Sequence, residues 1–175
     1  MTHGNAIPFV KKIVSGGQTG TDRAALDWAI AHGIPHGGWC PAGRRAEDGA
    51  IPAVYQLAET PSRSYQQRTR WNVRDSDATL IISQRSELTG GSKRTQELAA
   101  AMGKPCLHLH AGMDMAAALR EFLGKHAVSV LNVAGPREST EPGIGAFVMV
   151  TLDDCASGDG DSDSTPGTAS VRVVF

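Results

Sequence analysis

No stretch of the 175-residue sequence is apolar for long enough to cross a bilayer, and the opening MTHGNAIPFVKK lacks the apolar centre of a secretory signal. These absences argue against membrane association and predict a cytoplasmic protein. Cysteine is scarce as well. Cys40, Cys106 and Cys155 stand far apart, so buried thiols are expected rather than a disulfide framework or a zinc knuckle. Nor does one sign of charge dominate, since 17 basic and 18 acidic residues leave a formal net charge of −1. The acid is unevenly placed: residues 153–163 hold five aspartates and no base, so elsewhere 13 acids face 17 bases. That balance is too mild for a nucleic-acid surface but permits a locally basic pocket.

What is present is a chain of 41% apolar and 20% charged residues, sized for one domain with a sizeable core. Twenty glycines and nine prolines point to many turns rather than a helical bundle. Residues 1–11 read as a loose leader and 12–155 as the folded domain. An acidic, low-complexity tail follows over 156–175, with VRVVF as a candidate terminal strand. Apolar spacing predicts strands at 10–15, 78–83, 105–110 and 129–134, and a weak one within 34–40. Helices are predicted over 22–32, 65–73, 90–102, 113–123 and 143–153, with Leu26, Ala29 and Ile30 facing the sheet from the first, and 52–58 as a looser helix or turn. This alternation argues for an α/β sandwich with a mostly parallel sheet.

In such a sheet ligands settle beyond the carboxyl ends of the strands. Three glycine-bearing loops fall there: GGQTGTD, SELTGGSKRT and AGPRES. In the first, Gly16 and Gly17 allow a sharp bend, while Thr19, Gly20 and Thr21 are expected to expose amides at a helix start, where an anion is stabilised. Asp22 is a cap candidate there and Arg23 a contact for a bound oxyanion. In the second, Gly90, Gly91, Ser92 and Thr95 offer close approach, hydroxyls and amides, with Lys93 and Arg94 as cations. Asn132 and Gly135 precede Arg137, the anion contact of the third. Arg44, Arg45 and Asp48 form a further rim. Trp39 either stacks on a heterocycle or packs in the core. Tyr65, Arg68 and Asn72 share a helical face, either as a ligand cluster or as a salt-bridged surface.

Other chemistries lack their parts. No lysine follows the first glycines as a P-loop requires, and the dinucleotide fingerprint is absent. His108 and His110 alternate along a strand but have no third metal ligand nearby in sequence, so no metal site is expected. No nucleophile elbow is present. Asp75 and Asp77 precede a strand and are read as turn caps.

The segments GGQTGTDRAALDWAI, GGWCPAGRRAEDG, YQQRTRWNVRDSDATLI, GGSKRT and LNVAGPRES occur in that order. In this the chain resembles the molybdenum-carrier family, a circularly permuted branch of a Rossmann-like nucleotide-binding superfamily, over residues 12–152. The resemblance implies a three-layer Rossmann-like sandwich, a homo-oligomer, and a small phosphate-bearing ligand: molybdenum cofactor or a nucleotide-like relative. The superfamily also includes phosphoribohydrolases with the signature PGGxGTxxE. Here the stretch reads TGGSKRTQE, with Gly90, Gly91 and Glu97 matching, Lys93 in place of a glycine and the threonine displaced to Thr95. A nucleotide N-glycoside hydrolase with Glu97 as acid/base, Asp22 as second candidate and Arg94 or Arg137 clamping phosphate is therefore the alternative to a binding protein.

Overall fold

Short β-branched runs and helical segments alternate in the computed structural model, which describes residue 7 and residues 9–157. The chain runs β1 (Lys12–Val14), α1 (Thr21–Ala31), β2 (His36–Gly37), β3 (Trp39–Cys40), β4 (Arg45–Ala46), β5 (Gly49–Ala50) and β6 (Ala58–Glu59). It continues through α2 (Tyr65–Arg74), β7 (Ala78–Ser83), α3 (Gly90–Ala101), β8 (Cys106–His110), α4 (Met115–His126), β9 (Val130–Ala134) and α5 (Ile144–Ser157). Five parallel strands form one sheet in the order β2-β1-β9-β7-β8. Helices cover both faces, giving a three-layer Rossmann-like sandwich. All six residues of β7 are buried, as a parallel strand covered on both faces requires.

The main core joins Ile13, Leu80, Ile82, Leu131 and Val133 of the sheet to Trp28 of α1, Leu119 and Leu123 of α4, and Val148 and Leu152 of α5. Ile7, within the expected leader, is 1% exposed and belongs to this core. A second cluster gathers Leu26, Cys40, Ala46, Ile51, Tyr55 and Leu57. Leu26 therefore packs against the 40–57 segment rather than the sheet. Ile30, expected on the sheet face, is 41% exposed because Ala25, Trp28 and Ala29 take the inward positions.

The expected strand within 34–40 is broken in two. Gly38, with φ +123°, turns the chain out of the sheet, and a Cβ there would collide with the Ser15 backbone. β3 then pairs with β6, β4 with β5, and residues 53–55 form a turn rather than a helix. Asp77 accepts from the amides of Ser129 and Val130 at 2.9 and 2.7 Å, tying the entrance of β9 to that of β7. The terminal-strand and low-complexity assignments fall on 158–175, outside the described residues. No helix among the described residues is long and apolar enough to cross a membrane.

Candidate functional site

β9, the last strand among the described residues, is inserted between β1 and β7, so the order of the sheet reverses there. The carboxyl ends of these three strands open onto one cleft of about 380 Å³. Its walls come from Gln18 and Asp22 after β1, Tyr65, Gln66, Arg68 and Thr69 of α2, residues 87–92 with Arg94 and Thr95 around the start of α3, and residues 134–137 and 139–141 after β9.

Gln18 is only 5% exposed, and its amide orientation is determined by its neighbours. Oε1 accepts from the backbone amides of Thr19 at 3.1 Å and Glu47 at 2.9 Å, so this atom must be the oxygen. The remaining atom, Nε2, is a buried donor with no partner. Nearby, Arg68 donates through one terminal nitrogen to Asp22 Oδ2 at 2.8 Å, in a pair whose side chains are 13% and 4% exposed. Its Nε is likewise buried and unpartnered. Two unmet donors beside one cavity call for an acceptor, because a buried unpaired polar group costs about 1–3 kcal/mol.

The start of α3 adds a third set of donors. Thr89 makes no side-chain cap, and no acid lies in the first turn. The helix therefore presents its positive end unneutralised by its own side chains. A Cβ on Gly90 or Gly91 would meet nothing within 4 Å. The other two expected amide sources are closed by protein. Thr21 N donates to the Pro136 carbonyl at 3.1 Å, and a Cβ on Gly20 would lie 2.6 Å from Glu138 N. The loop after β9 thus stoppers α1, and the expectation of open amides at Thr19, Gly20 and Thr21 is corrected. Gly135 permits the same approach, since a Cβ there would strike the Ile82 carbonyl and Thr21. The space beside Gly16 is filled by the Arg68 guanidinium, and that beside Gly17 by Leu57 and Ile51. These glycines admit protein.

Arginines gather on the cleft's aromatic side chain. The guanidiniums of Arg45, Arg137 and Arg68 lie 5.0, 5.6 and 5.8 Å from the centre of the Tyr65 ring. Glu47 holds this corner together, accepting from Thr19 and Ser139 and lying 3.7 Å from Arg137. Desolvation raises the Glu47 pKa, but the hydrogen bonds from Ser139 and Thr19 outweigh it and hold the carboxyl below its ordinary 4.5.

Of the sequence-predicted residues, the cleft brings together Asp22, Tyr65, Arg68, Gly90, Gly91, Ser92, Arg94, Thr95, Gly135 and Arg137. The others lie outside it. Arg23 pairs with Asp48 and donates to the Gly17 carbonyl. Arg44 is bound to four backbone carbonyls. Trp39 donates through Nε1 to Asp75 at 2.7 Å and meets Trp71 edge-on, while Asn72 exchanges hydrogen bonds with the Trp39 backbone. Asn132 is 2% exposed and donates to Thr79 Oγ1 within the sheet. Lys93 is exposed on α3. Glu97, with a side chain 53% exposed, lies 3.8 Å from Arg94 and does not line the cleft. Sequence reasoning missed Gln18, Gln66, Thr69, residues 87–89, Ala134, Pro136 and 139–141. Gln18 was discoverable as the one long amide inside GGQTGTD, where attention rested on glycine and threonine.

Cys40 and Cys155 are buried and Cys106 half-buried, all as free thiols. His108 and His110 do share a side of β8, with ring centres 5.2 Å apart, and His108 Nε2 meets Ser83 Oγ at 2.6 Å. No group of three metal-capable side chains occurs among the described residues.

Residues 13–156 match the family described as "Circularly permutated YpsA SLOG family". The crystal structure of a protein named "Putative molybdenum carrier protein", from Syntrophus aciditrophicus SB, resembles this one with a TM-score of 0.82. The two share 47% sequence identity, and the match covers 85% of this chain and 96% of that one. None of the curated proteins compared with the chain matches it.

Proposed function

The chain belongs to the circularly permutated YpsA SLOG family, and we propose that it binds or carries a small phosphate-bearing, nucleotide-like ligand in the cleft before α3. One observation supports this above the rest: Gln18 Nε2 and Arg68 Nε are buried donors without partners, in residues that line a cleft also lined by an uncapped helix start. A phosphate oxygen satisfies such donors with charge-assisted hydrogen bonds. The first turn of α3, with Arg94, suits the same group, and Tyr65 supplies an aromatic surface for a ring.

Molybdenum cofactor, a pterin bearing a phosphate, fits this donor set as cargo, and the name of the 47%-identical structure favours it within the proposal. The residues that would hold it are Gln18, Arg68, Gly90, Gly91, Ser92, Arg94 and Arg137 around the phosphate, with Tyr65 beside the ring. Binding is favoured over N-glycoside hydrolysis because Glu97, the acid/base of that alternative, stands outside the cleft. Asp22, the second candidate, is engaged by Arg68 and by the backbone N–H of Gln18. Homo-oligomeric assembly and a cytoplasmic location belong to the same proposal and are tested by light scattering and by fractionation.

The test is native mass spectrometry and metal analysis of protein purified gently from molybdenum-replete cells, followed by titration with phosphate, nucleotides and the isolated cofactor. A phosphate-bearing adduct is expected. Gln18→Glu keeps an acceptor for Thr19 and Glu47 but replaces the Nε2 donor with a carboxylate oxygen. It should weaken binding about tenfold or more, the scale of a charge-assisted hydrogen bond, while the protein stays folded. Wild-type affinity in Gln18→Glu, or no binding across the panel by folded protein, overturns the reading.

A further inference from the structure

Beside the cleft lies a second cavity, a groove of about 510 Å³ between α2 and α3, and the two share Gln66 and Arg94. Gln66, Arg70 and Arg74 follow one another at four-residue spacing and so form one wall of a single helix face. Arg94 and Leu98, four apart on α3, form the other, and Trp71 adds half-buried aromatic surface. No carboxylate lines this groove. Arg74 is bound to Asp75 and lies 4.7 Å from the centre of the Trp71 ring, and Arg94 sits 3.8 Å from Glu97. Arg70 has no carboxylate partner among the described residues. Next to the first cavity, with Gln66 and Arg94 common to both linings, there is thus a cationic groove with an aromatic wall, whose Arg70, Trp71 and Arg74 do not line the cleft.

We propose that the ligand spans both cavities and is a compound whose two ring-bearing halves are joined through a diphosphate. This rests on the cleft being a phosphate site. Arg94, the cation common to both openings, serves the bridging phosphates. Arg70, Trp71 and Arg74 receive the second half, through guanidinium contacts to its oxygens and apolar contact with its ring. A simple mononucleotide reaches only the first cavity.

Isothermal titration with AMP and with diadenosine diphosphate tests this directly. The wild-type protein is expected to bind diadenosine diphosphate about tenfold tighter than AMP or better. Arg70→Ala, at an exposed position away from the cleft, should weaken diadenosine diphosphate severalfold and leave AMP unchanged. Arg70→Ala combined with Arg74→Ala should erase the preference. Gln18→Glu should weaken both ligands. Equal wild-type affinities, or a preference untouched by Arg70→Ala, overturn the two-cavity ligand and leave the cleft reading standing. Failure of both compounds to bind folded wild-type protein also overturns the two-cavity ligand, while the cleft reading stands or falls on the wider panel of phosphate, nucleotides and isolated cofactor.

Discussion

Arg44 shows how a side chain that the sequence places on a ligand rim serves the fold instead. Its guanidinium donates to the carbonyls of Ile51, Pro52, Tyr55 and Leu57 at 2.9, 2.9, 2.8 and 3.2 Å. The planar fork satisfies a segment with little regular structure of its own to take up its backbone groups. Arg44→Ala should therefore cost about 1–3 kcal/mol, and Arg44→Lys should recover only part of it, because an ammonium cannot reproduce the fork. Chemical denaturation measures both. His108 carries a different dependence. Burial lowers its pKa from the ordinary 6.5, His110 lowers it further, and Glu141 offsets part of this. The unfolded chain then binds the proton first as pH falls, so stability is lost as pH drops through 6.5 and levels off below the folded value. The fall in melting temperature between about pH 7.5 and about pH 5.5 should be smaller in His108→Gln than in the wild type. An equal fall in both would place the acid sensitivity elsewhere.

Among the helices, three starts that look alike in sequence have three different fates. That of α1 is stoppered by the loop after β9, and Glu138 accepts from Gly143 and Gly145 at the start of α5. The start of α3 has neither a side-chain cap nor a first-turn acid. Glycine roles divide accordingly. Gly135→Ala drives a methyl into the Ile82 carbonyl and within 2.5 Å of Thr21 Oγ1, so a loss of about 3 kcal/mol is expected. Gly91→Ala meets nothing within 4 Å and should leave stability within about 1 kcal/mol of wild type, or raise it, since alanine suits a helix better. Its methyl points at no protein atom but lies in a cleft-lining residue, so ligand affinity should drop. Thermal melts with and without ligand separate the two glycines.

At the scale of the whole molecule, binding and folding are linked through one cleft built from four separate parts of the chain. Ligand at about one hundred times its dissociation constant adds about 2.7 kcal/mol to the folded state. For a chain of this size that raises the melting temperature by roughly 5–10 °C. Arg44→Ala should lower the melting temperature yet keep this increment, whereas Gln18→Glu should lose the increment, its buried carboxylate beside Asp22 also lowering the baseline. Differential scanning fluorimetry reads both quantities at once. If Gln18→Glu retained the full increment, the ligand would be bound without its buried amide donor.

The amino-acid order by itself determined the layered α/β plan, because helices and strands differ in apolar period and those periods are local. The six residues of β7 and the start of α2 at Tyr65 were legible for that reason. Local signals also located the three glycine loops at strand ends. They could not tell which loop faces solvent, since Gly20 and Gly91 look alike until a distant segment, 136–138, packs against the first of them. Only tertiary structure decided that Arg44 staples a loop, that Glu97 stands outside the cleft and that Gln18 is left with an unmet donor. Each of those outcomes depends on neighbours far away along the chain, and a side chain's hydrogen-bond partners are set by the packing that brings such neighbours within about 3 Å.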